Sequence, residues 1–67
     1  MNLKIGDRIE LVKMTDDPDP IEPGTQGTVD FLSELFERPT KQWQIGVKWD
    51  NGRTLGLITP PDKYRKL

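Results

Sequence analysis

Two glycine-containing stretches decide the fold predicted for this chain: Gly24-Thr25-Gln26-Gly27-Thr28-Val29 and Trp49-Asp50-Asn51-Gly52-Arg53. Glycine adopts positive φ without a Cβ clash, so each stretch marks a sharp turn at the boundary of a strand. Asn-Gly is also the preferred pair for a type I′ hairpin turn, which we expect at Asn51-Gly52. Sharp glycine turns at this spacing are typical of a small β-barrel.

The residues around these turns predict five strands. The third strand is the clearest, because Trp43, Ile45, Val47 and Trp49 alternate with polar or small residues. By the same reading we predict strands at residues 9–14, 28–32, 43–49, 53–58 and 64–67. Residues 15–24 hold three prolines and three aspartates and predict a long first loop. Residues 33–41 predict a middle loop, and residues 59–63 predict a single 3₁₀ turn.

This order of elements predicts an all-β fold, a small five-stranded SH3-like barrel. It has a long first loop, a tight Asn-Gly hairpin and a 3₁₀ turn before the last strand, in a single domain over residues 1–67. The alternating positions predict a core of Ile9, Leu11, Val29, Phe31, Ile45, Val47, Trp49, Leu55 and Leu57. An OB-fold is the alternative architecture, but it usually needs a longer chain and often a helix.

Composition excludes several classes of function. The chain has 67 residues, with no cysteine and no histidine, so disulfides, thiolate zinc sites and imidazole acid–base chemistry are absent. No apolar run approaches the ~20 residues that span a bilayer, and no signal peptide is recognisable, so we expect a cytoplasmic protein with no membrane partner. The net charge of −1 is unevenly distributed, with −5 in residues 1–34 and +4 in residues 35–67.

Four segments resemble one family over nearly the whole chain. They are residues 6–11, 14–20, 23–29 and 47–55, and the first loop is the most distinctive. Together they are similar to the small bacterial and phage domain known as domain of unknown function 4314. The resemblance implies a compact domain of bacteria and mobile elements, with no established activity. Residues 33–42 match the family least.

A looser likeness is to KOW-type barrels, in which a phrase such as Gly24 to Val29 follows a Gly-Asp start. That likeness implies a module that binds RNA or proteins of the ribosome and of transcription. Peptide-binding SH3 domains share the predicted architecture, but Ile9-Glu10-Leu11-Val12 stands where their aromatic ledge would be. Recognition of polyproline in the usual groove is therefore not expected.

We expect a non-enzymatic interaction module that binds another protein. In the predicted barrel the first and middle loops lie side by side, which would place acidic groups around an apolar centre. Trp43 is flanked by glutamines next to the middle loop, and a partly exposed tryptophan is a typical binding anchor. The candidate partner-binding residues are Asp16, Asp17, Asp19, Leu35, Phe36 and Trp43.

The alternative is RNA or DNA binding through a basic stripe on the last three strands. Its candidate residues are Lys48, Arg53, Lys63, Arg65 and Lys66. Phosphate contacts would come from these cations, although a pI near 5.2 is low for a dedicated nucleic-acid binder. The same residues also suit a plain solvated face that discourages edge pairing.

Metal, cofactor and catalytic sites are not expected. The first-loop carboxylates do not have the spacing of a calcium loop, since prolines replace the required glycine turn. Ser33 is the only serine and no base accompanies it, so no nucleophile is indicated. We therefore predict no enzyme activity, no cofactor, no metal and a monomeric chain.

Overall fold

The computed structural model describes residues 2–15, 18–36 and 41–67. It contains five strands: β1 Arg8–Lys13, β2 Gln26–Phe36, β3 Gln42–Trp49, β4 Leu57–Thr59 and β5 Lys63–Lys66. The strands form one antiparallel sheet in the order β4-β3-β2-β1-β5. The predicted all-β class with five strands is confirmed. No helix that could cross a lipid bilayer occurs in the part of the chain that the structure describes.

The sheet is open rather than closed. β4 and β5 are its two edge strands, and no ladder joins them within the described residues. The closed barrel expected from the sequence is therefore not confirmed. The long β2 strand is the common element, since its residues 26–28 pair with β1 and its residues 27–36 pair with β3.

The core lies on one face of this sheet. Its buried residues are Leu3, Ile9, Leu11, Ile21, Val29, Ile45, Val47, Trp49 and Leu57. Most of them are the alternating positions read from the sequence, because alternate side chains of a strand point to the same face. Leu55 is only partly buried, and Leu3 and Ile21 were not predicted. Both lie outside strands, where no periodicity marks them.

The prediction that Phe31 belongs to the core is wrong, because β2 contains a β-bulge. Val29 pairs with Val47, but the next β3 residue, Gly46, pairs with Phe31 rather than Asp30. The extra residue turns Phe31 to the outer face, where its side chain is 48% exposed, and Leu32 takes the inner position. Gly46 is required here, since a Cβ at this position would lie 2.7 Å from the Phe31 Cβ.

The predicted middle loop is wrong for residues 33–36, which continue β2. Ser33 pairs with Gln44, Glu34 with Trp43, and Phe36 with Gln42. Backbone pairing with β3 outweighs the weak helical tendency of this stretch, which is too short to be a stable helix by itself. Of the rest of the expected loop, Lys41 lies outside any strand, and residues 37–40 are outside the described residues.

The tight hairpin is confirmed, but its turn is not the predicted type I′. The Gly52 N–H bonds the Trp49 carbonyl at 3.0 Å, which places Asp50 and Asn51 at the centre of the turn. Gly52 follows in the left-handed region with φ +90°, as in a three-residue hairpin loop. The Asn51 Oδ1 accepts the Arg53 N–H at 3.0 Å, so the side chain of Asn51 also stabilises the loop.

β4 begins later than predicted. The indole N–H of buried Trp49 donates to the Leu55 carbonyl at 2.8 Å. That carbonyl would otherwise accept a backbone hydrogen bond from β3. Lys48 and Thr54 form only an isolated bridge, and regular pairing starts with Ile45 opposite Leu57.

The predicted 3₁₀ turn before β5 is a turn of another kind. Pro60 and Pro61 lie in it, and the Asp62 N–H bonds the Ile58 carbonyl four residues earlier at 2.9 Å. We call residues 60–62 the proline turn.

Candidate functional site

The proline turn joins the first loop to the beginning of β3. The Gln42 side-chain amide donates to the Pro60 carbonyl at 2.9 Å. On the other side, the Thr15 N–H donates to Asp62 Oδ1 at 2.7 Å. We call the residues that meet here the junction surface; they are Thr15, Gln42, Trp43, Pro60 and Pro61.

Asp62 lies beneath the junction surface and holds it together. Its carboxylate accepts the Thr15 N–H through Oδ1 and the Ile58 N–H through Oδ2, the latter at 3.0 Å. The residue is only 6% exposed. Because the Ile58 N–H and carbonyl both bond to Asp62, this part of the β4 edge cannot pair with another strand. Sequence reasoning missed this role, since an aspartate after two prolines predicts only a turn.

Trp43 lies at the edge of the core, between buried and exposed. It packs partly against the core cluster and pairs with Glu34 on β2 and Thr59 on β4. The Lys41 ammonium lies 5.8 Å from the centre of its ring, within cation–π range, and forms an ion pair with Glu34 at 3.2 Å. This half-buried position agrees with the partial exposure expected of a binding anchor.

The other apolar candidates are on β2. Leu35 is 37% exposed, next to the point where β2 and β3 shift register. The side chain of Phe36 lies outside what the structure describes, although its backbone pairs with Gln42. Leu35 thus lies on the strand next to Trp43, in the region where the sequence placed an apolar centre.

The first loop is anchored at both ends and in the middle. Thr15 bonds Asp62 at the start, and the Gly24 N–H bonds the Leu11 carbonyl at 2.7 Å at the end. Between them, Ile21 is buried with 1% exposure. The described part of the loop is therefore held to the body of the domain at Thr15, Ile21 and Gly24.

The tip of the first loop contacts Arg53 rather than Trp43. The Arg53 Nη2 donates to the Asp19 carbonyl at 2.8 Å and lies 3.4 Å from Asp19 Oδ2. Arg53 is opposite Trp49, six residues along β3 from Trp43, a separation of ~20 Å in a strand. Asp19 therefore lies at the hairpin end of β3 and not at the junction surface. Asp16 and Asp17, which follow Thr15, are outside the described residues.

Three of the five basic candidates form ion pairs with carboxylates. Arg53 contacts Asp19, Arg65 contacts Glu10 at 3.0 Å, and Lys66 contacts Asp7 at 3.5 Å. Lys48 and Lys63 are exposed and have no ion pair with any residue that the structure describes. The five residues thus do not form one continuous cationic surface, because three of them are neutralised locally.

The pKa values of two carboxylates outside the junction surface, Asp7 and Asp50, are lowered. Arg8 donates to Asp50 through both guanidinium nitrogens, at 2.8 and 2.5 Å, and also to the Thr28 hydroxyl at 3.0 Å. These bonds lower the pKa of Asp50 and raise the pKa of Arg8. The pKa of Asp7 is lowered chiefly by a hydrogen bond from the Lys4 backbone N–H, and Lys66 acts in the same direction.

No grouping of three or more histidine, cysteine, aspartate or glutamate side chains suitable for a metal ion occurs among the described residues. The groups at the junction surface are an indole, two prolines, the Gln42 amide and the Thr15 hydroxyl.

Comparison with known proteins identifies a family and no characterised relative. A family model described as Domain of unknown function (DUF4314) matches residues 2–67. No curated protein matches the chain. No solved structure matches it either.

Proposed function

Since the chain belongs to this family of unknown function over nearly its whole length, we propose that it is a non-enzymatic interaction domain that binds another protein through the junction surface. One observation carries this proposal. The first loop and the start of β3 both hydrogen-bond to the proline turn, and half-buried Trp43 pairs with Thr59 just before that turn.

Trp43 is the anchor of the proposed site. Partly buried aromatic side chains dominate the energy of protein interfaces, because they bury a large apolar area with little loss of side-chain freedom. Exposed Pro60 and Pro61 add apolar surface of fixed shape beside it.

The site is rigid before the partner arrives. The bonds from Gln42 to Pro60 and from Thr15 to Asp62 fix its two sides. A binding surface that is already ordered loses less conformational entropy on association. The side-chain hydrogen bonds that order the junction surface therefore favour binding.

The proposed partner is basic at the point of contact. Asp16 and Asp17 directly follow Thr15 in the sequence, and Glu22 is exposed on the same loop. Opposite charge accelerates encounter and fixes orientation. On the grounds of the family resemblance and the absence of cysteine, we place this interaction in the cytoplasm of a bacterium or of a phage-infected cell.

Nucleic-acid binding is the second candidate, and the ion pairs of Arg53, Arg65 and Lys66 argue against it. A phosphate would have to displace Asp19, Glu10 or Asp7 from these cations. Lys48 and Lys63 remain available among the described basic candidates, which is few for a surface whose affinity depends on several phosphate contacts.

The test is affinity capture from a bacterial lysate with and without nuclease, followed by titration of the captured protein against purified variants. Trp43→Ala should weaken binding by at least about tenfold, as expected for loss of an aromatic anchor. Val12→Ala removes an exposed apolar side chain of β1 away from the junction surface and should leave binding unchanged.

The nucleic-acid alternative predicts the opposite pattern. Captured material would disappear on nuclease treatment, would be lost with the double variant Lys48→Glu and Lys63→Glu, and would survive Trp43→Ala. Its affinity would also fall steeply with salt. That combination would overturn the proposed protein-binding function.

A further inference from the structure

The tip of the hairpin carries the only Asn-Gly pair of the chain, Asn51-Gly52, and both residues are exposed to water. Asparagine is thermolabile, because its side-chain amide can be attacked from within the chain. The attacking group is the backbone nitrogen of the next residue, and its target is the side-chain carbon Cγ. Glycine in that place leaves the nitrogen unshielded, since it has no side chain. The pair therefore has the residue types of a site that water and base modify without an enzyme.

The folded hairpin points the attacking nitrogen away from its target. The Gly52 N–H donates to the Trp49 carbonyl at 3.0 Å. Attack requires loss of this proton, and the electron pair that remains lies along the former N–H bond, so it faces the Trp49 oxygen and not Asn51 Cγ. The Asn51 Oδ1 also accepts the Arg53 N–H at 3.0 Å, which holds the side-chain amide in place. Ring closure therefore requires the peptide unit between Asn51 and Gly52 to rotate out of the turn.

The neighbours of the pair keep the turn closed. The Asp50 N–H bonds the Gln26 carbonyl at 2.9 Å, and the Asp50 carboxylate accepts two hydrogen bonds from Arg8. The Trp49 N–H bonds the Arg53 carbonyl at 2.9 Å, and Trp49 is buried. The peptide unit rotates only when the hairpin opens, and a segment held by several hydrogen bonds to its neighbours opens rarely.

We infer that Asn51 is a deamidation site that the folded hairpin suppresses and that unfolding exposes. The Gly52 nitrogen, having lost its proton to base, forms a bond to Asn51 Cγ. The Cγ–Nδ2 bond breaks, and Nδ2 leaves as ammonia with a proton taken from water. Hydrolysis of the resulting cyclic succinimide then gives either aspartate or isoaspartate at position 51, and isoaspartate changes the length of the turn because the backbone runs through the former side chain.

The inference is independent of the proposed function, because the junction surface contains neither Asn51 nor Gly52. Its outcome is also independent of any partner, since the only co-reactants are base and water. The rate of modification therefore reports on how often this hairpin opens.

Incubation of the whole chain in mildly alkaline buffer, either folded or in guanidinium chloride, tests the inference. Trypsin cleaves after Lys48 and Arg53, so the pair is recovered in the peptide of residues 49–53, and mass spectrometry measures the loss of its amide. The folded chain should be modified at least about tenfold more slowly than the unfolded chain. Asn2 is the internal control, because it is exposed but is followed by the bulky Leu3, and it should stay intact in both samples.

A variant that loosens the turn tests the cause of the suppression. Arg8→Met removes both hydrogen bonds to the Asp50 side chain and should speed modification of the folded chain severalfold. Arg65→Met is the matched control, because it removes an arginine ion pair with Glu10 away from the hairpin, and it should leave the rate unchanged. In guanidinium chloride all of these chains should react at the same rate. Thermal unfolding of each variant shows that it is folded at the temperature of incubation.

Three results would overturn the inference. Equal rates in the folded and unfolded chain would show that the hairpin gives no protection. An intact pair in the unfolded chain would show that Asn51 is not labile. Equal rates for folded Arg8→Met and the folded unmodified chain would show that opening of this turn does not limit the reaction.

Discussion

Asp62 shows how much one side chain can determine in a chain of 67 residues. Its carboxylate satisfies the backbone N–H groups of Thr15 and Ile58, so it connects the first loop to the β4 edge. In larger proteins such links are shared among many residues. A small domain buries a smaller fraction of its surface, so each buried hydrogen bond represents a larger part of its stability.

We predict that Asp62→Ala lowers the free energy of unfolding by about 1 to 3 kcal/mol, because two partly buried N–H groups lose their acceptor. Asp62→Asn should cost less, since the amide oxygen can still accept one of the two bonds. Urea denaturation of both variants measures this, with the exposed Asp30→Ala as control. Equal stability of Asp62→Ala and the unmodified chain would show that water replaces the carboxylate.

Acid should weaken the contact between Arg8 and Asp50. The pKa of Asp50 is lowered in the folded state by the hydrogen bonds from Arg8, below its ordinary value of 3.8. A carboxylate with a lowered pKa stabilises the fold above its unfolded pKa and loses that contribution as pH falls through the folded value. Asp50→Asn should therefore destabilise the chain at pH 7 and make little difference once the pH has fallen below the lowered folded pKa of Asp50.

The measurement is the melting temperature of both forms at several pH values. Arg8→Met should reproduce the loss at neutral pH, because it removes the other half of the same pair. A difference between Asp50→Asn and the unmodified chain that persists unchanged into acid would contradict the assignment.

At the scale of elements, two local irregularities of the backbone decide which residues face the solvent. The β2 bulge moves Phe31 from the core to the outer face, and Gly46 makes room for it. The hairpin uses Gly52 in the left-handed region after a turn centred on Asp50 and Asn51. Each irregularity depends on a glycine, but for different reasons: close approach at Gly46 and positive φ at Gly52.

Gly52→Val should lower the free energy of unfolding by about 1 to 3 kcal/mol, because a β-branched residue resists φ of this sign. Gly52→Asn is the matched control, since asparagine adopts the left-handed region more readily and should cost clearly less. Open space surrounds the position, so the difference reports on the backbone and not on a clash. Thermal unfolding that does not distinguish the two variants would contradict the hairpin geometry.

For the whole molecule, the question is what stabilises a sheet of this size with no disulfide. Among the described residues the core contains nine buried apolar side chains, and the first loop contributes one of them, Ile21. The loop is therefore part of the folding unit. Asp19 and Glu22 of this loop are exposed.

We predict that no metal ion is needed for folding, because thiol and imidazole ligands are absent and the first-loop carboxylates have the wrong spacing for calcium. Thermal unfolding with and without excess chelator should coincide. A fall of several degrees on chelation would instead assign Asp16, Asp17 and Asp19 as ligands. Replacing all three by asparagine would then abolish the effect of the chelator.

Part of the candidate site was predictable from the sequence. Trp43 was identified by its position at the end of an alternating strand, and the structure places it at the core boundary. The proline turn was recognised only as a break between strands. Its role in joining the first loop to β3 could not be read from the chain, because it depends on hydrogen bonds between residues up to 47 positions apart.

The sequence by itself determined the family, the all-β class, the five strands, the tight hairpin and most of the core. These follow from side-chain alternation and from glycine and proline, which act within a few residues of themselves. Only the tertiary structure decided the outward position of Phe31, the burial of Ile21 and Asp62, and the pairing of Arg53 with Asp19. A bulge shifts register relative to a neighbouring strand, and burial or ion pairing depends on contacts between distant segments, so neither leaves a local pattern in the chain.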